Sequence, residues 1–243
     1  MSAVLEVEAL SKRYGPIVVA DEVGFTVARG ECLGVIGPNG AGKTSVFNLV
    51  DGGAKPDRGR VRLGGVDVTR TPKHKRARLG LARAYQVPQP FPDLSTFENV
   101  LVAATFGAGL SGGAAKSAAQ DTLRRTGLWD KREILADALP LLDRKRLELA
   151  RALASAPKLL LLDEIAGGLT QMEVSELVEL ILTIKPTVAT IWIEHVTHAL
   201  SAVADRLLAL NFGRVIAEGA PAAVMQNPAV QEVYLGTVLD APA

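Results

Sequence analysis

Short apolar runs recur along the chain, and three of them are followed at once by a glycine or an acidic residue. Those at residues 32–36 and 190–193 predict apolar strands, and the four-leucine run at residues 159–162 is typical of a parallel strand buried on both faces. Apolar positions also recur at helical spacing between residues 174 and 184. Together these patterns predict an α/β fold.

The amino-terminal part and the middle of the chain have different patterns. Residues 1–30 predict strands around a turn at residues 14–16, and residues 61–68 predict a hairpin with a Gly-Gly turn. After a Pro-rich bend at residues 87–92 the pattern is helical to about residue 156. Within it, the Gly/Ala/Ser-rich surroundings of residues 110–113 predict a flexible loop.

Composition restricts the class of protein. The chain has 243 residues and no tandem copy of its motifs, which predicts one domain, with room for two lobes. A net charge of +1 gives no electrostatic basis for binding nucleic acid. No apolar stretch approaches the roughly 18 residues of a membrane-spanning helix. The basic cluster at residues 73–78 predicts a solvated helix face, with contact to membrane headgroups as the alternative.

The amino-terminus and the single cysteine indicate the compartment. Residues 1–6 lack a basic region followed by a long apolar core, so we expect no secretion signal. Cys32 has no second cysteine to pair with and lies in a predicted strand, where we expect it to act as a small buried hydrophobe. Both features fit the cytosol.

A glycine-rich loop between a predicted strand and a predicted helix carries the clearest chemical signal. It matches the phosphate-binding pattern G-x-x-x-x-G-K-[ST] at every fixed position. Its backbone N–H groups and the helix N-terminus would surround the phosphates of a nucleoside triphosphate, with Lys43 reaching the β- and γ-phosphates and Thr44 ligating Mg²⁺. The predicted nucleotide site comprises Gly37, Pro38, Asn39, Gly40, Ala41, Gly42, Lys43, Thr44 and Ser45.

Two acids follow the four-leucine strand at residues 159–162. The carboxyl ends of parallel strands are where open α/β sheets bind their ligands. Asp163 is therefore the predicted Mg²⁺ carboxylate, and Glu164 the group that polarises the water attacking the γ-phosphate. Solvated acids at a strand end are the alternative for this motif taken alone.

The order of the motifs resembles that of the ATP-binding cassette (ABC) ATPases. The phosphate loop is followed by Gln86, by the strand with Asp163 and Glu164, and by a strand that ends before His195. The resemblance covers residues from about 5 to about 236. It implies that Gln86 contacts Mg²⁺ and the attacking water and senses the transporter, that His195 contacts the γ-phosphate, and that Tyr14 stacks on adenine. For Tyr14, packing at a strand end is the alternative.

The same resemblance implies a fold and a domain division. We expect a P-loop NTPase core of the ABC ATPase type, with a mixed sheet, flanking helices and amino-terminal antiparallel strands. The core lobe would comprise residues 1–86 and 157–243, and residues 87–156 would form a helical subdomain. The bend at residues 87–92 would then lie where the family receives a coupling helix from its membrane subunit, or would act as a rigid connector between the lobes.

Finer motifs resemble those of the branched-chain amino-acid (Liv-type) importer ATPases. They lie at residues 147–154, 193–195, 210–219 and 227–236. The resemblance implies an ATPase on the cytoplasmic face of the membrane that energises import of branched-chain amino acids or related amides and organic acids. It also implies permease subunits, a second ATP-binding cassette and, indirectly, a periplasmic solute-binding protein as partners.

The chain departs from the family at the LSGGQ-type signature, which grips the γ-phosphate bound to the partner cassette. Residues 110–113 spell most of that motif but lie too far before Asp163, so we interpret them as a chance match. At the family's spacing the chain instead reads Leu139-Pro140-Leu141-Leu142-Asp143. Asp143 has a second interpretation, as the N-cap of the following helix. This departure favours a heterodimer with a cassette whose signature is intact.

The chain departs from the family at a second place, and two further functions are alternatives to the importer ATPase. Ile165 and Thr170 replace a proline and an aspartate of the family's dimer-contacting loop. One alternative function is a soluble ABC protein that acts on ribosomes or DNA, although the chain shows no tandem cassette or long basic insertion. The other is a non-hydrolysing structural partner or a weakly hydrolysing regulatory cassette of a heterodimer. The retention of Lys43, Asp163, Glu164 and His195 speaks against a non-hydrolysing role.

Overall fold

The apolar runs and helical repeats form regular elements in a computed structural model, which describes residues 3–239. The predicted absence of a secretion signal concerns residues 1–6, of which the first two lie outside the described residues. The strands are β1 (Ala3–Tyr14), β2 (Ile17–Ala28), β3 (Cys32–Ile36), β4 (Arg58–Leu63), β5 (Val66–Asp67), β6 (Leu81–Ala84), β7 (Leu159–Asp163), β8 (Ala189–Ile193), β9 (Arg206–Asn211) and β10 (Arg214–Gly219). The helices are α1 (Lys43–Asp51), α2 (Lys73–Arg78), α3 (Thr96–Phe106), α4 (Gly112–Arg125), α5 (Leu141–Ala154), α6 (Gln171–Ile184), α7 (Thr197–Val203), α8 (Pro221–Met225) and α9 (Pro228–Leu239).

The three predicted apolar strands lie in one six-stranded sheet of order β10-β9-β3-β8-β7-β6. β3 pairs in parallel with β8 and β9, β7 pairs in parallel with β6 and β8, and β10 joins the edge antiparallel. Every residue of β3, β7 and β8 is buried, which explains why their sequences are almost entirely apolar. The prediction of a four-leucine strand buried on both faces is confirmed.

A second, antiparallel sheet has the order β2-β1-β4-β5. β1 and β2 turn around Gly15, and β4 and β5 turn around Gly64 and Gly65. These two glycines have φ of +56° and +78°, a conformation that L side chains seldom adopt. The predicted amino-terminal strands and the Gly-Gly hairpin are therefore confirmed.

Three apolar cores hold these layers together. The first lies between the two sheets and α1, the second between the large sheet and α6 and α7, and the third within α3, α4 and α5. Cys32 is fully buried in the second core, and burial raises the pKa of its thiol to about 12, so it packs as a hydrophobe as predicted. Within residues 3–239, every helix is too short or too polar to cross a membrane.

Two local predictions are wrong. The Gly/Ala/Ser-rich stretch around residues 110–113 is a loop only up to Ser111, because Ser111 is the N-cap residue of α4 and the helix begins at Gly112. Its small residues form a helix because alanines at positions 115 and 119, with a leucine at 123, share one buried face at four-residue spacing.

The second error concerns the basic cluster at residues 73–78. It forms α2, but not all of its basic side chains are solvated: Arg76 is only 1% exposed. Its guanidinium donates to four backbone carbonyl oxygens, which satisfies the donors of a buried cation. The acceptors are those of Leu49, Val50, Thr69 and Thr71.

Candidate functional site

The predicted phosphate loop connects the end of β3 to the start of α1. Gly42 is the N-cap residue of α1 and has a φ of +101°. A Cβ atom on Gly42 would lie 2.4 Å from the carbonyl oxygen of Val19, and one on Gly37 would lie 2.3 Å from that of Leu210. Neither position can therefore hold a side chain, and glycine lets the backbone turn tightly around the N-terminus of α1.

Lys43 is the first residue of α1 and is buried, with 6% exposure. Its ammonium donates to the carbonyl oxygens of Gly37 (2.7 Å) and Pro38 (3.0 Å). Burial lowers the pKa of Lys43, although the charges of Glu164 and Asp163 act in the opposite direction. The cation is thus held inside its own loop, near the two acids at the end of β7.

A pocket of about 330 Å³ opens beside the loop. It is lined by Ile17 and Val19 of β2, by residues 39–45 and by Glu164. Tyr14, the predicted adenine contact, is not among its lining residues; it pairs with Ile17 across the β1–β2 turn, and Lys12 lies 5.2 Å from the centre of its ring. A larger cavity of about 800 Å³, beside Lys158, contains none of the predicted site residues.

Two of the three predicted catalytic side chains contact the carboxylate of the third, Glu164. The Nε2 of Gln86 donates to Oε2 of Glu164 at 2.8 Å, and the Nε2 of His195 lies 2.8 Å from Oε1 of the same residue. Glu164 has a φ of +47°, which is strained for a residue with a side chain. The ends of β6, β7 and β8 therefore bring together residues that are far apart in sequence.

Asp163 has a partner that the sequence analysis missed. Arg83, on β6, donates through Nη2 to Oδ2 of Asp163 and through Nη1 to Asp51 (2.7 Å) and Asn48 (2.8 Å) of α1. Burial opposes the charge of Arg83, but the bonds to Asp163 and Asp51 outweigh it and raise its pKa. A single arginine in an otherwise apolar strand was the available signal.

Glu194 is a second residue that the sequence analysis missed. It is 3% exposed and accepts hydrogen bonds from the backbone N–H groups of Ala166 (2.7 Å) and His195 (3.0 Å). Burial raises its pKa, while those two bonds act to lower it. The carboxylate thereby fixes the backbone that carries His195 and the loop after Glu164.

The segment after Gln86 is attached to α5. Lys145 donates to the carbonyl oxygen of Gln86, and Arg151 to that of Gln89 (2.6 Å). The backbone N–H of Gln89 donates to Glu148 (3.3 Å), whose pKa is raised by burial. The position of Gln86 near Glu164 therefore depends on the helix that begins at the altered signature.

The altered signature forms the N-terminus of α5. Pro140 is its N-cap residue and provides no side-chain cap, so the interpretation of Asp143 as the N-cap is wrong. Asp143 lies within the first turn, is 3% exposed and pairs with Lys131 and, at 3.9 Å, with Arg146. Its carboxylate is committed to cations of this chain.

The other departures from the family also have structural roles. Ile165 is 2% exposed and packs in the second core, where an apolar side chain is favoured. Thr170 caps α6 through a reciprocal pair of bonds with Glu173. Both residues stabilise the segment between β7 and α6.

The oxygen donors of the site fit Mg²⁺. Thr44, Asp163 and Gln86 offer a hydroxyl, a carboxylate and an amide oxygen, which are hard ligands of the kind this ion prefers. Among the described residues, no group of three or more His, Cys, Asp or Glu side chains could hold a metal by itself. So few protein ligands suit an ion that is bound largely through phosphate oxygens and water.

Comparison with known proteins decides the family. A family model described as "ABC transporter" matches residues 20–167. The chain belongs to the ABC transporter ATP-binding family. It is therefore an ATP-hydrolysing subunit of a transporter, and the predicted resemblance, enzyme class and fold class are confirmed. A second family model, "Branched-chain amino acid ATP-binding cassette transporter", matches residues 214–240 of this ABC ATPase.

Individual relatives cover nearly the whole chain. The ABC ATPase is 35% identical to the lipopolysaccharide export system ATP-binding protein LptB of Acidithiobacillus ferridurans, over 97% of this chain and 98% of that protein. It is 34% identical to the high-affinity branched-chain amino acid transport ATP-binding protein BraF of Pseudomonas aeruginosa, over 96% and 98%. The crystal structure of the ADP conformation of MJ1267, an ATP-binding cassette, matches with a TM-score of 0.87 at 26% identity, over 97% and 100%.

Proposed function

We propose that this ABC ATPase binds ATP along residues 37–45 and hydrolyses it at the end of β7. Lys43 compensates the charge of the β- and γ-phosphates, and Glu164 accepts a proton from the attacking water. His195 contacts the γ-phosphate, and its bond to Glu164 supports this role because it places both groups at one point. Tyr14 stacks on adenine, and its 55% exposure at the end of β1 supports an accessible ring.

Thr44, Asp163 and Gln86 are proposed to hold Mg²⁺, which neutralises developing charge on the phosphates when it is bound. The amide of Gln86 donates through nitrogen to Glu164, which leaves its oxygen for the metal. Gln86 thus connects the proposed metal to the proposed base. Its attachment to α5 supports a role in sensing the transporter.

The proposed transport reaction is import of branched-chain amino acids or related small solutes. The match of residues 214–240 to the branched-chain amino-acid family carries this proposal, and the likeness to BraF supports it. Export of lipopolysaccharide is the second candidate because LptB is similar to this chain to the same extent, at 35% against 34% identity. A soluble ABC ATPase without a transporter is less consistent with both relatives.

The proposed partners are permease subunits at the cytoplasmic face of the membrane and, through them, a periplasmic solute-binding protein. We propose that residues 87–156 act as the helical subdomain and that a permease segment docks between it and the core lobe formed by residues 1–86 and 157–243. A groove of about 330 Å³ lies there. Phe91 and Phe106 line it and are 46% and 76% exposed, which supports docking of an apolar segment.

The second cassette is proposed to be a different chain. An ABC dimer places each ATP between one phosphate loop and the partner's signature. The α5 N-terminus of this chain offers a proline and a carboxylate paired within the chain, so a homodimer would lack good γ-phosphate donors at both sites. A partner with an intact signature would complete the site built on Lys43 and Glu164.

Uptake of solute tests the proposed reaction. Cells that carry this chain with its neighbouring permease genes should accumulate radiolabelled leucine, isoleucine or valine, and Glu164→Gln should abolish that uptake. Glu179→Gln, an exposed acid on α6, is the matched control and should leave uptake unchanged. Normal uptake in the Glu164→Gln strain would contradict the proposal, and a lipopolysaccharide export defect in its place would favour the second candidate.

A further inference from the structure

Four side chains of alternating charge run from the surface to the proposed metal site. Lys73 of α2 pairs with Asp51 at 3.0 Å, Asp51 pairs with Arg83 at 2.7 Å, and Arg83 pairs with Asp163. The Lys73 side chain is 47% exposed, whereas those of Asp51 and Arg83 are 0% and 6% exposed. Arg83 therefore lies between two carboxylates in a nearly dry environment.

The guanidinium of Arg83 is fixed in orientation as well as in charge. Its central carbon lies 4.9 Å from the centre of the Tyr85 ring and 5.5 Å from that of Phe47. Its two terminal nitrogens donate to different carboxylates, and Asn48 supplies a further acceptor. A planar cation packed near two rings and bonded at both ends has little freedom to reorient.

This arrangement constrains Asp163. Arg83 donates to Oδ2 of Asp163, and the hydrogen bonds of the described residues leave Oδ1 for another ligand. A buried carboxylate without such a partner would be costly to keep charged. Hydrogen-bond partners of metal-binding carboxylates commonly fix the geometry of the ligand and thereby tune its affinity for the metal.

We propose that Arg83 is a positioning residue that holds Asp163 in the orientation needed to bind a divalent cation together with ATP. The inference rests on the proposed assignment of Asp163 to the metal. Arg83 contributes to metal-dependent binding of the nucleotide and not to metal-free binding, because it contacts the carboxylate and lies outside the pocket beside the phosphate loop.

Arg83→Lys in the full chain tests the proposal, because lysine keeps the charge but cannot reach both carboxylates with a planar fork. Affinity for ATP is measured by competition with a fluorescent nucleotide, once in EDTA and once with Mn²⁺, and bound Mn²⁺ is followed by electron paramagnetic resonance. We expect affinity for Mn²⁺ in the ATP complex to fall about tenfold or more, the usual effect of removing a partner of a metal ligand. Affinity in EDTA should stay within about twofold, a fraction of the 1.4 kcal/mol that tenfold represents.

Arg124→Lys on α4 is the matched control. Arg124 also lies near an aromatic ring, at 4.4 Å from the centre of Trp129, and pairs with Asp121 at 3.2 Å, but its described contacts include neither Asp163 nor the segment that carries Gln86. It should leave Mn²⁺ affinity unchanged. If Arg83→Lys does not fold, the neutral double change Asp51→Asn with Arg83→Gln removes both members of the buried pair and takes its place in the same assay.

The outcomes separate this inference from the proposed function. Equal losses with and without metal would mean that Arg83 supports only the fold, and unchanged Mn²⁺ affinity would mean that it positions nothing; either result overturns the inference. Asp163→Asn is measured in parallel. If that change leaves Mn²⁺ binding intact, the assignment of the metal to Asp163 fails, whatever the Arg83 variants show.

Discussion

Two helices of this ABC ATPase begin at places where a phosphate could approach, and their N-termini are built in opposite ways. α1 begins after Gly42, with a lysine as its first residue and an open pocket beside it. α5 begins after Pro140, and the buried carboxylate of Asp143 fills its first turn. Both helices have the same partial positive charge at that end. The difference shows that the helix dipole alone does not make a phosphate site.

The two N-termini differ in the groups that surround the positive end of the helix dipole. At α1, positive-φ glycines turn the backbone tightly, and two carbonyls hold the Lys43 ammonium in the loop. At α5, Asp143 supplies negative charge within the first turn and is itself paired with Lys131 and Arg146. The loop before α1 therefore favours binding of an anionic ligand, whereas the N-terminus of α5 is already occupied by a carboxylate of the chain itself.

The largest expected effect is at the acid beside the phosphate loop. Glu164→Gln should lower ATP turnover about 10²–10⁴-fold, the usual contribution of a positioned acid or base, and should leave ATP affinity unchanged. Steady-state phosphate release and equilibrium binding on one preparation measure both quantities. Turnover within a factor of two of that of the unaltered chain would contradict the catalytic role of Glu164 beside the phosphate loop.

Removing the cation at the start of α1 should weaken binding. Lys43→Ala leaves phosphate charge uncompensated, so we expect ATP affinity to fall tenfold or more, roughly 1.4 kcal/mol. Calorimetry of folded protein measures this, with Lys116→Ala on the exposed face of α4 as the control. Unchanged affinity would show that α1 binds phosphate no better than α5.

The corresponding change at α5 should alter stability and not binding. Asp143→Asn removes the charge that pairs with Lys131, and we expect a loss of about 1 kcal/mol because the Lys131 side chain, at 42% exposure, can turn to water. Urea unfolding measures the loss. A change in the ATP affinity of the isolated chain, with stability unchanged, would contradict the structural role of this carboxylate.

Glu194 is expected to have a smaller effect, on how the free energy of unfolding changes with pH. Because burial raises its pKa in the folded chain, folding binds its proton more tightly, and stability falls as pH rises from the unfolded pKa through the folded one. Glu194→Gln should flatten that dependence because an amide does not titrate, although its NH₂ group cannot accept one of the two backbone hydrogen bonds. Thermal unfolding across the acidic range checks this, and an unchanged pH profile would contradict it.

The elements around the phosphate loop could be predicted well from the sequence. β3 spans the predicted residues, and Gln86, Glu164 and His195 meet because parallel strands end at one edge of a sheet. The strand and the phosphate loop are specified by local sequence. The convergence of the three side chains depends on sheet topology, which the apolar runs indicate. The altered signature was also located from spacing, but its internal pairing was not.

The residues that were missed act through partners distant in sequence. Arg83 joins positions 51 and 163, and Glu194 joins the loop at residue 166 to the backbone of His195. Arg76 was predicted to be solvated because nothing in its neighbours indicates the carbonyls of α1 that it meets. No local pattern specifies such pairs, because folding alone brings their members together.

We propose that this chain contributes a working phosphate loop and a signature that does not serve its partner. Reconstituting the transporter with the Glu-to-Gln change in one cassette at a time tests it most directly. We expect Glu164→Gln in this chain to reduce ATP hydrolysis by about 10²–10⁴-fold, and the equivalent change in the partner cassette to leave most of the activity. Equal losses from the two changes, or full activity from this chain as a homodimer, would contradict this division of roles between the cassettes.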